Sequence, residues 1–256
     1  MTTGFPEPSN RVVESMLLVE ALRGLGAASV IAAPLYLPYS RQDRRFLRGE
    51  PISVAAVLHS LAAAGASAVA TVDVHKEYSL EWFPGPAANI DPSPAFAETL
   101  RPLLGSDIVY VIGPDRGAVE RAHRLAERLG AAFDYLEKQR DRVTGEVRLK
   151  PKTVEVEGAT VILVDDIVST GGTLAKATQL LLQQGARRVI AAVTHCLLVG
   201  PAVERLENAG IEALICANTV KPCWSKARTA DIGPLLAEAA KRLAERLHGY
   251  ESEGPR

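Results

Sequence analysis

VILVDDIVSTGGT, Val161 to Thr173, joins an apolar run, an acidic pair and a small hydroxyl-rich loop in one short segment. Val161 to Val164 show no helical period, which suits a strand buried on both faces of a parallel sheet. Asp165 and Asp166 follow at once, then Ser169-Thr170-Gly171-Gly172-Thr173. A helix is expected to begin at about Leu174, in LAKATQLLLQQGA. Backbone N–H groups of such a loop and helix start point at a phosphate, and the helix dipole favours its charge. Gly171 and Gly172 let the backbone come close to a ligand. Thr170 and Thr173 add hydroxyl donors, and the two carboxylates accept from sugar hydroxyls. Strand, acids, loop and helix in this order read as a site for a phosphorylated sugar. The competing reading is a plain strand followed by an N-terminally capped helix with solvated acids.

Outward from that segment the chain repeats one module: a helix, then Gly-Ala, then an apolar strand. It occurs in GLGAASVIAA, AAGASAVATVDVH, ERLGAAFDYLE and QQGARRVIAAVTH. Helices alternating with short apolar strands indicate an α/β fold with mainly parallel sheets. The first helix is expected over about Asn10 to Leu25, with Val13, Met16, Leu17, Val19, Leu22 and Leu25 as its apolar face and Gly26 ending it. WFPGPAANIDPSP, residues 82–94, is dense in Pro and Gly and marks a domain junction. Residues 1–90 form one domain, which the C-terminal helix 233–248 rejoins, and residues 91–228 form the second.

The chain has 256 residues, 47% of them apolar, and a formal net charge of −1. That balance argues against a general nucleic-acid-binding surface. No apolar run is long enough to span a membrane, and no signal peptide is visible. Three cysteines, Cys196, Cys216 and Cys223, match no zinc spacing. A reduced, cytoplasmic chain is the simplest reading, with Cys196 and Cys216 as small buried side chains.

In parallel α/β sheets, ligands bind beyond the carboxyl ends of strands. The segments expected there are Tyr39 to Arg45, His75-Lys76-Glu77, Pro114-Asp115-Arg116-Gly117, Lys138 to Arg142, and the phosphosugar loop. Taken singly, RQDRR reads as a solvated basic turn, His75 as a satisfied polar residue, Asp115 as a turn former and LEKQRDR as an exposed charged run. His59, His123, His195 and His248 carry no motif and are read as structural.

Taken together, YSRQDRRFLRGEPIS, GASAVATVDVH, VIGPDRGAVERAHRLAERLGA, LEKQR and VILVDDIVSTGGT resemble the ribose-phosphate pyrophosphokinase family. The similarity runs from about Pro6 to Leu247. The resemblance implies two phosphoribosyltransferase-like domains, the first shortened, with the active site between them. It implies transfer of the β,γ-diphosphoryl group of ATP to the 1-hydroxyl of ribose 5-phosphate, giving phosphoribosyl pyrophosphate and AMP. Arg41 and Gln42 match the ATP-contacting pair, and His75 and Asp115 match ligands of Mg2+. Lys138 matches the catalytic lysine and Arg140 the substrate-contacting arginine beside it. The segment 138–150 matches a flap closing over ATP. Asp165 and Asp166 match the residues facing the ribose hydroxyls, and Ser169, Thr170, Gly171, Gly172 and Thr173 the 5-phosphate cradle. The family implies a homo-oligomer.

The chain departs from that pattern at its start. The family carries a further N-terminal stretch with a Phe-x-Asp-Gly-Glu segment that contacts adenine, and GFPEP (Gly4 to Pro8) is not it. Three explanations stay open: a misassigned start, a shortened catalyst, or a non-catalytic subunit that binds phosphoribosyl compounds or associates with a synthetase. A phosphoribosyltransferase ranks last, because RQDRR and DVH have no role there.

Overall fold

The computed structural model describes residues 1–140, 147–151 and 155–252. The chain divides into two compact units, residues 1–91 with 232–256, and residues 92–231. In the first unit, α1 (Pro8–Gly24) leads to a two-residue strand β1 (Ile31–Ala32). Then come α2 (Ser53–Ala63), β2 (Ala68–Val72) and β3 (Ala87–Ile90). The three strands are parallel in the order β1-β2-β3. β2 is buried along its whole length, as its unbroken AVATV run requires. Val19, Val54, Leu58, Leu61 and Val69 make the core between sheet and helices.

The apolar face expected on α1 needs correcting. Ser15 and Val19 are its buried residues, with Val12 and Met16 half-buried against the core. Val13, Leu17, Leu18, Leu22 and Leu25 are exposed. Apolar residues occur almost all round this helix, so period alone did not choose the inward stripe. Gly26 does end it, with φ +90°, donating its N–H to Arg23.

The second unit alternates more regularly. Its elements are α3 (Ser93–Leu104), β4 (Val109–Gly113), α4 (Val119–Leu129), β5 (Ala132–Arg140), β6 (Val147–Pro151), β7 (Thr160–Val168), α5 (Gly172–Gln183), β8 (Arg188–Cys196), α6 (Ala202–Asn208), β9 (Ala213–Ala217) and β10 (Ala227–Ala230). The sheet order is β10-β9-β8-β7-β4-β5-β6, parallel except for the antiparallel β5–β6 pair. β7 therefore lies at the centre. The last helix, α7 (Gly233–Ser252), belongs to the first unit and packs along β1, β2 and β3.

Polar side chains pin the end of the large sheet where β7 and β8 begin. Asp107, just before β4, accepts from Thr160 Oγ1 at 2.6 Å and from Arg188 Nη2 at 2.7 Å, and pairs with Arg187. The Thr160 hydroxyl first, then the two guanidinium groups against the cost of burial, hold the Asp107 carboxyl below its usual range. Arg188 also reaches Glu212 at 2.7 Å and the Leu103 carbonyl at 2.6 Å. Four strands' starting ends are thus tied, and their other ends are left for loops.

The cysteine reading is corrected too. Cys196 and Cys216 are joined as a disulfide, with Cα atoms 6.0 Å apart. They lie on neighbouring strands, and both are fully buried. Cys223 is free and exposed.

The core of β7 sets the stability of this unit. Leu163→Ala removes a side chain with 0% exposure. It is expected to lower the free energy of unfolding by about 3–4 kcal/mol, read as a fall in the denaturant midpoint at unchanged slope.

Candidate functional site

The acidic pair lies inside β7 rather than beyond it. Parallel pairing with β8 continues through Asp165↔Val193, Ile167↔His195 and Val168↔Cys196, so the strand runs past both carboxylates. The Asp165 and Asp166 carboxyls nevertheless stay within hydrogen-bonding reach of each other. Asp166 is buried and lies 3.6 Å from Arg121 Nη2 of α4. Asp165 Oδ1 accepts the Asp166 N–H at 2.9 Å. Burial first, then the charge and side chain of Asp166, push the Asp165 carboxyl well above the carboxylate range, while Arg121 opposes them. Two carboxylates so close do not both ionise freely.

The loop after β7 has the features of an anion cradle. Gly171 takes φ +74° and serves as the N-cap of α5, which starts at Gly172, two residues before the expected position. A Cβ at Gly171 would stand 3.2 Å from the Ala202 carbonyl oxygen. No side chain caps this helix start. Its first N–H groups thus have no side-chain cap, and the helix dipole at such an end favours negative charge. Ser169 is half-buried, while Thr170 and Thr173 are exposed. Two outside braces hold the loop. The Ser169 carbonyl accepts from Val199 N at 3.0 Å, and the Thr170 carbonyl from Arg205 Nη1 at 3.0 Å.

Asp115 sits at the turn after β4, and its side chain is exposed. Its Oδ1 accepts the Gly117 N–H at 2.7 Å. The carboxylate is therefore a turn former, as the plain reading had it, and its second oxygen leaves acceptor capacity for another partner. The 3-10 turn it caps, Arg116–Ala118, packs against β4, β5 and β7. That brings Asp115 to the same end of the sheet as the acidic pair.

Lys138 and Arg140 were expected beyond a strand end. They lie within β5, opposite Leu149 and Val147 of β6. The strand continues because β6 folds back and pairs with it. Of the segment read as a flap, residues 141–146 lie outside the described residues.

In the first unit, Tyr39 to Arg45 follow β1 and His75 follows β2. Arg41 is exposed. Gln42 spends its amide N–H groups inside its own loop, on Arg44 O at 3.3 Å and Pro51 O at 3.4 Å. Asp73 turns the chain out of β2 with φ +45°, and the Val74 N–H is held by Asn89 Oδ1 at 3.0 Å. His75, which follows, is half-buried. The buried Asp43 accepts the Tyr78 hydroxyl, so the two loops are tied together. The site residues thus fall into two groups, Arg41, Gln42 and His75 in one unit and the remainder in the other.

Three neighbours were missed by the sequence reading: Arg121, Arg205 and Tyr78. Arg121 lies inside the matched segment VIGPDRGAVERAHRLAERLGA and Arg205 in α6, but helix position alone did not aim them. Tyr78 carries no motif.

A parallel sheet whose central strand delivers an acidic pair to a glycine-bearing loop and helix start is the phosphoribosyltransferase arrangement. Residues 94–221 match the phosphoribosyl transferase domain, and residues 1–65 match the N-terminal domain of ribose phosphate pyrophosphokinase. The chain is 40% identical over 237 residues to a ribose-phosphate pyrophosphokinase of Saccharolobus solfataricus, spanning 92% of this chain and 80% of that one. It is 42% identical over 215 residues to the Pyrococcus furiosus enzyme of the same name, spanning 84% and 75%. The solved phosphoribosylpyrophosphate synthetase from Mycobacterium smegmatis superposes with a TM-score of 0.84 at 31% identity, over 94% of this chain and 80% of that one. The chain belongs to the ribose-phosphate pyrophosphokinase family.

The raised Asp165 pKa has a measurable sign. Its folded value lies above its unfolded one, so the folded state binds the extra proton from about pH 4 upward. Stability is expected to fall as pH rises through that window. Asp165→Asn should flatten the fall, so that the difference in Tm between pH 5 and pH 8 shrinks relative to the parent chain.

Proposed function

We propose that this chain transfers the diphosphoryl group of Mg-ATP to the 1-hydroxyl of ribose 5-phosphate, giving phosphoribosyl pyrophosphate and AMP. The observation that carries this reading is the uncapped start of α5 behind Gly171, next to the acidic pair of β7. The family match over residues 1–65 supports a diphosphokinase over a phosphoribosyltransferase, since it covers the RQDRR loop.

In this reading the N–H groups of Gly172 and Thr173 and the hydroxyls of Ser169, Thr170 and Thr173 hold the 5-phosphate. Asp165 and Asp166 fix the ribose hydroxyls and so aim the 1-hydroxyl. Arg41 forks onto nucleotide phosphate oxygens, and Gln42 shapes the loop that presents it. Lys138 and Arg140 place cationic charge where it develops on the transferred group.

Among the described residues, no group of three or more His, Cys, Asp or Glu side chains could cage a metal. This suits Mg2+, which keeps several waters and is held by one or two carboxylates and substrate phosphates. Asp115, with its exposed carboxylate, would hold such an ion in the second unit, and His75 would serve likewise in the first. Bound, the ion would neutralise charge on substrate phosphates. No helix among the described residues is long and apolar enough to cross a membrane. We place the protein in the cytoplasm with its substrates, and we assign it no nucleic-acid partner. The Cys196–Cys216 bond is shielded from thiols there by complete burial.

The reading is tested by following AMP and phosphoribosyl pyrophosphate formed from Mg-ATP and ribose 5-phosphate. The parent chain should form both in equal amounts. Lys138→Ala should lower kcat by at least about a hundredfold. A folded parent chain that binds ribose 5-phosphate without turnover would favour the binding-subunit reading instead.

Val13, Leu17, Leu18 and Leu22 of α1 and Leu25 just after it are all exposed, and so many uncovered apolar side chains on one helix support a homo-oligomer. Sedimentation should give a species of at least two chains. Leu17→Glu with Leu18→Glu should shift it to monomer, and an unchanged mass would remove α1 from the interface.

A further inference from the structure

We propose that Tyr78 is a positioning residue for nucleotide binding, acting through Asp43 to hold the loop that carries Arg41. The inference rests on the ATP reading of Arg41 given above.

The loop from Tyr39 to Ile52 is long, and most of its surface is wet. Arg41, Arg44, Arg45, Phe46, Leu47 and Arg48 are all exposed. Its braces are of two kinds. The outer half is braced locally: Glu50 Oε2 accepts the N–H groups of Phe46 at 2.8 Å and Leu47 at 3.0 Å, and Arg45 Nε donates to the Glu50 carbonyl at 2.9 Å. The Gln42 amide likewise bonds to carbonyls of its own loop, while the base of the loop meets α1 through Tyr39 Oη and Ser9 Oγ at 2.6 Å and α2 through the Val54 N–H to the Gln42 carbonyl at 3.5 Å. The local bonds fix the shape of the loop. The contacts to α1 and α2 hold its base, and neither ties it to the turn that follows His75.

Asp43 is different. Its side chain is buried, in a run of exposed residues, and it accepts the hydroxyl of Tyr78. Tyr78 stands three residues after His75, in the 3-10 turn Glu77–Trp82. That turn is fixed to the core by the buried Ser79 and Leu80 and packs on α2. One hydrogen bond thus fastens the loop of Arg41 to the turn that follows His75. Asp43 lies two residues from Arg41, so its position limits where that guanidinium can reach.

The direction of the bond is settled by its partners. Hydrogen bonding to Asp43 first, then burial and the Asp43 charge, raise the phenol above its ordinary value against the opposing charge of Arg44. The phenol keeps its proton and donates, and the carboxylate accepts. A hydrogen bond to a charged group is among the stronger ones a side chain makes. Tyr78 itself touches no reacting atom in this scheme. Its effect should fall on nucleotide affinity and not on the chemical step.

The test compares the full chain with Tyr78→Phe, Asp43→Asn and the double variant. Tyr78→Phe removes one oxygen from a residue that is 45% exposed, so folding should be retained. In steady-state kinetics, KM for Mg-ATP should rise by about tenfold. KM for ribose 5-phosphate and kcat should stay within about twofold. The double variant should be no worse than the more affected single one, because once the Tyr78 hydroxyl is gone there is no bond left for the Asp43 change to weaken. Equal rises in both KM values, or additive effects in the double variant, would overturn the proposal.

A second readout needs no turnover. Amide hydrogen exchange of residues 39–50 should speed up in Tyr78→Phe while that of β2 stays as in the parent. Unchanged exchange would overturn the clasp whatever the activity. Faster exchange with no effect of the variant on Mg-ATP affinity would overturn the link between clasp and nucleotide. Absence of turnover in the parent chain would count instead against the diphosphokinase reading. In that event the affinity comparison is made by calorimetric titration with Mg-ATP, and the same tenfold difference is expected.

Discussion

β7 is buried on both faces for its first five residues and yet carries two carboxylates before it ends. That is the constraint on which the second unit depends. A buried ladder has to keep its backbone paired, so β8 follows β7 to Val168 and forces Asp165 and Asp166 into strand geometry. The two carboxyls stay within hydrogen-bonding reach of each other, and Asp166 meets Arg121 of α4. Asp165 is left with a neighbouring negative charge and little solvent. The acid pair is thus electrostatically tense before any ligand arrives, and hydroxyl donors from a sugar would relieve it.

The two ends of the same sheet are built in opposite ways. At the starting end, Asp107, Thr160, Arg188 and Glu212 satisfy one another, with short bonds and opposite charges. At the finishing end, polar groups point outward in turns and loops: Gly172, Thr173 and the exposed carboxylate of Asp115. A structural network closes on itself, whereas a binding site keeps capacity for something else. The contrast separates the two kinds of charged cluster without reference to family.

Much of this was legible in the sequence because few local arrangements suit the residues concerned. An apolar tetrapeptide followed by two acids and paired glycines leaves little choice but strand, turn and helix start. The parallel sheet followed from the repeated helix–Gly–strand module, and the turn role of Asp115 from its own chemistry. What stayed hidden depended on contacts between distant segments. The inward stripe of α1 was obscured by leucines on the remaining sides. The continuation of β5 through Lys138 needed β6 to fold back on it. Pairing of Cys196 with Cys216 needed the register of two strands. Arg121, Arg205 and Tyr78 act through partners 45, 35 and 35 residues away, taking Asp166, Thr170 and Asp43 respectively.

The Cys196–Cys216 bond closes a segment that contains α6 and its Arg205 brace. Residues 197–199, just after the first cysteine, also hold the backbone of Val168 and Ser169. A protease that cut the exposed Gly200-Pro201 corner would therefore not release anything. The two fragments would stay covalently joined, and the nick would show on a gel only after a thiol was added. The loop after β7 would keep one of its two braces on each side of the cut, so damage at this corner would be silent to size but open to chemistry.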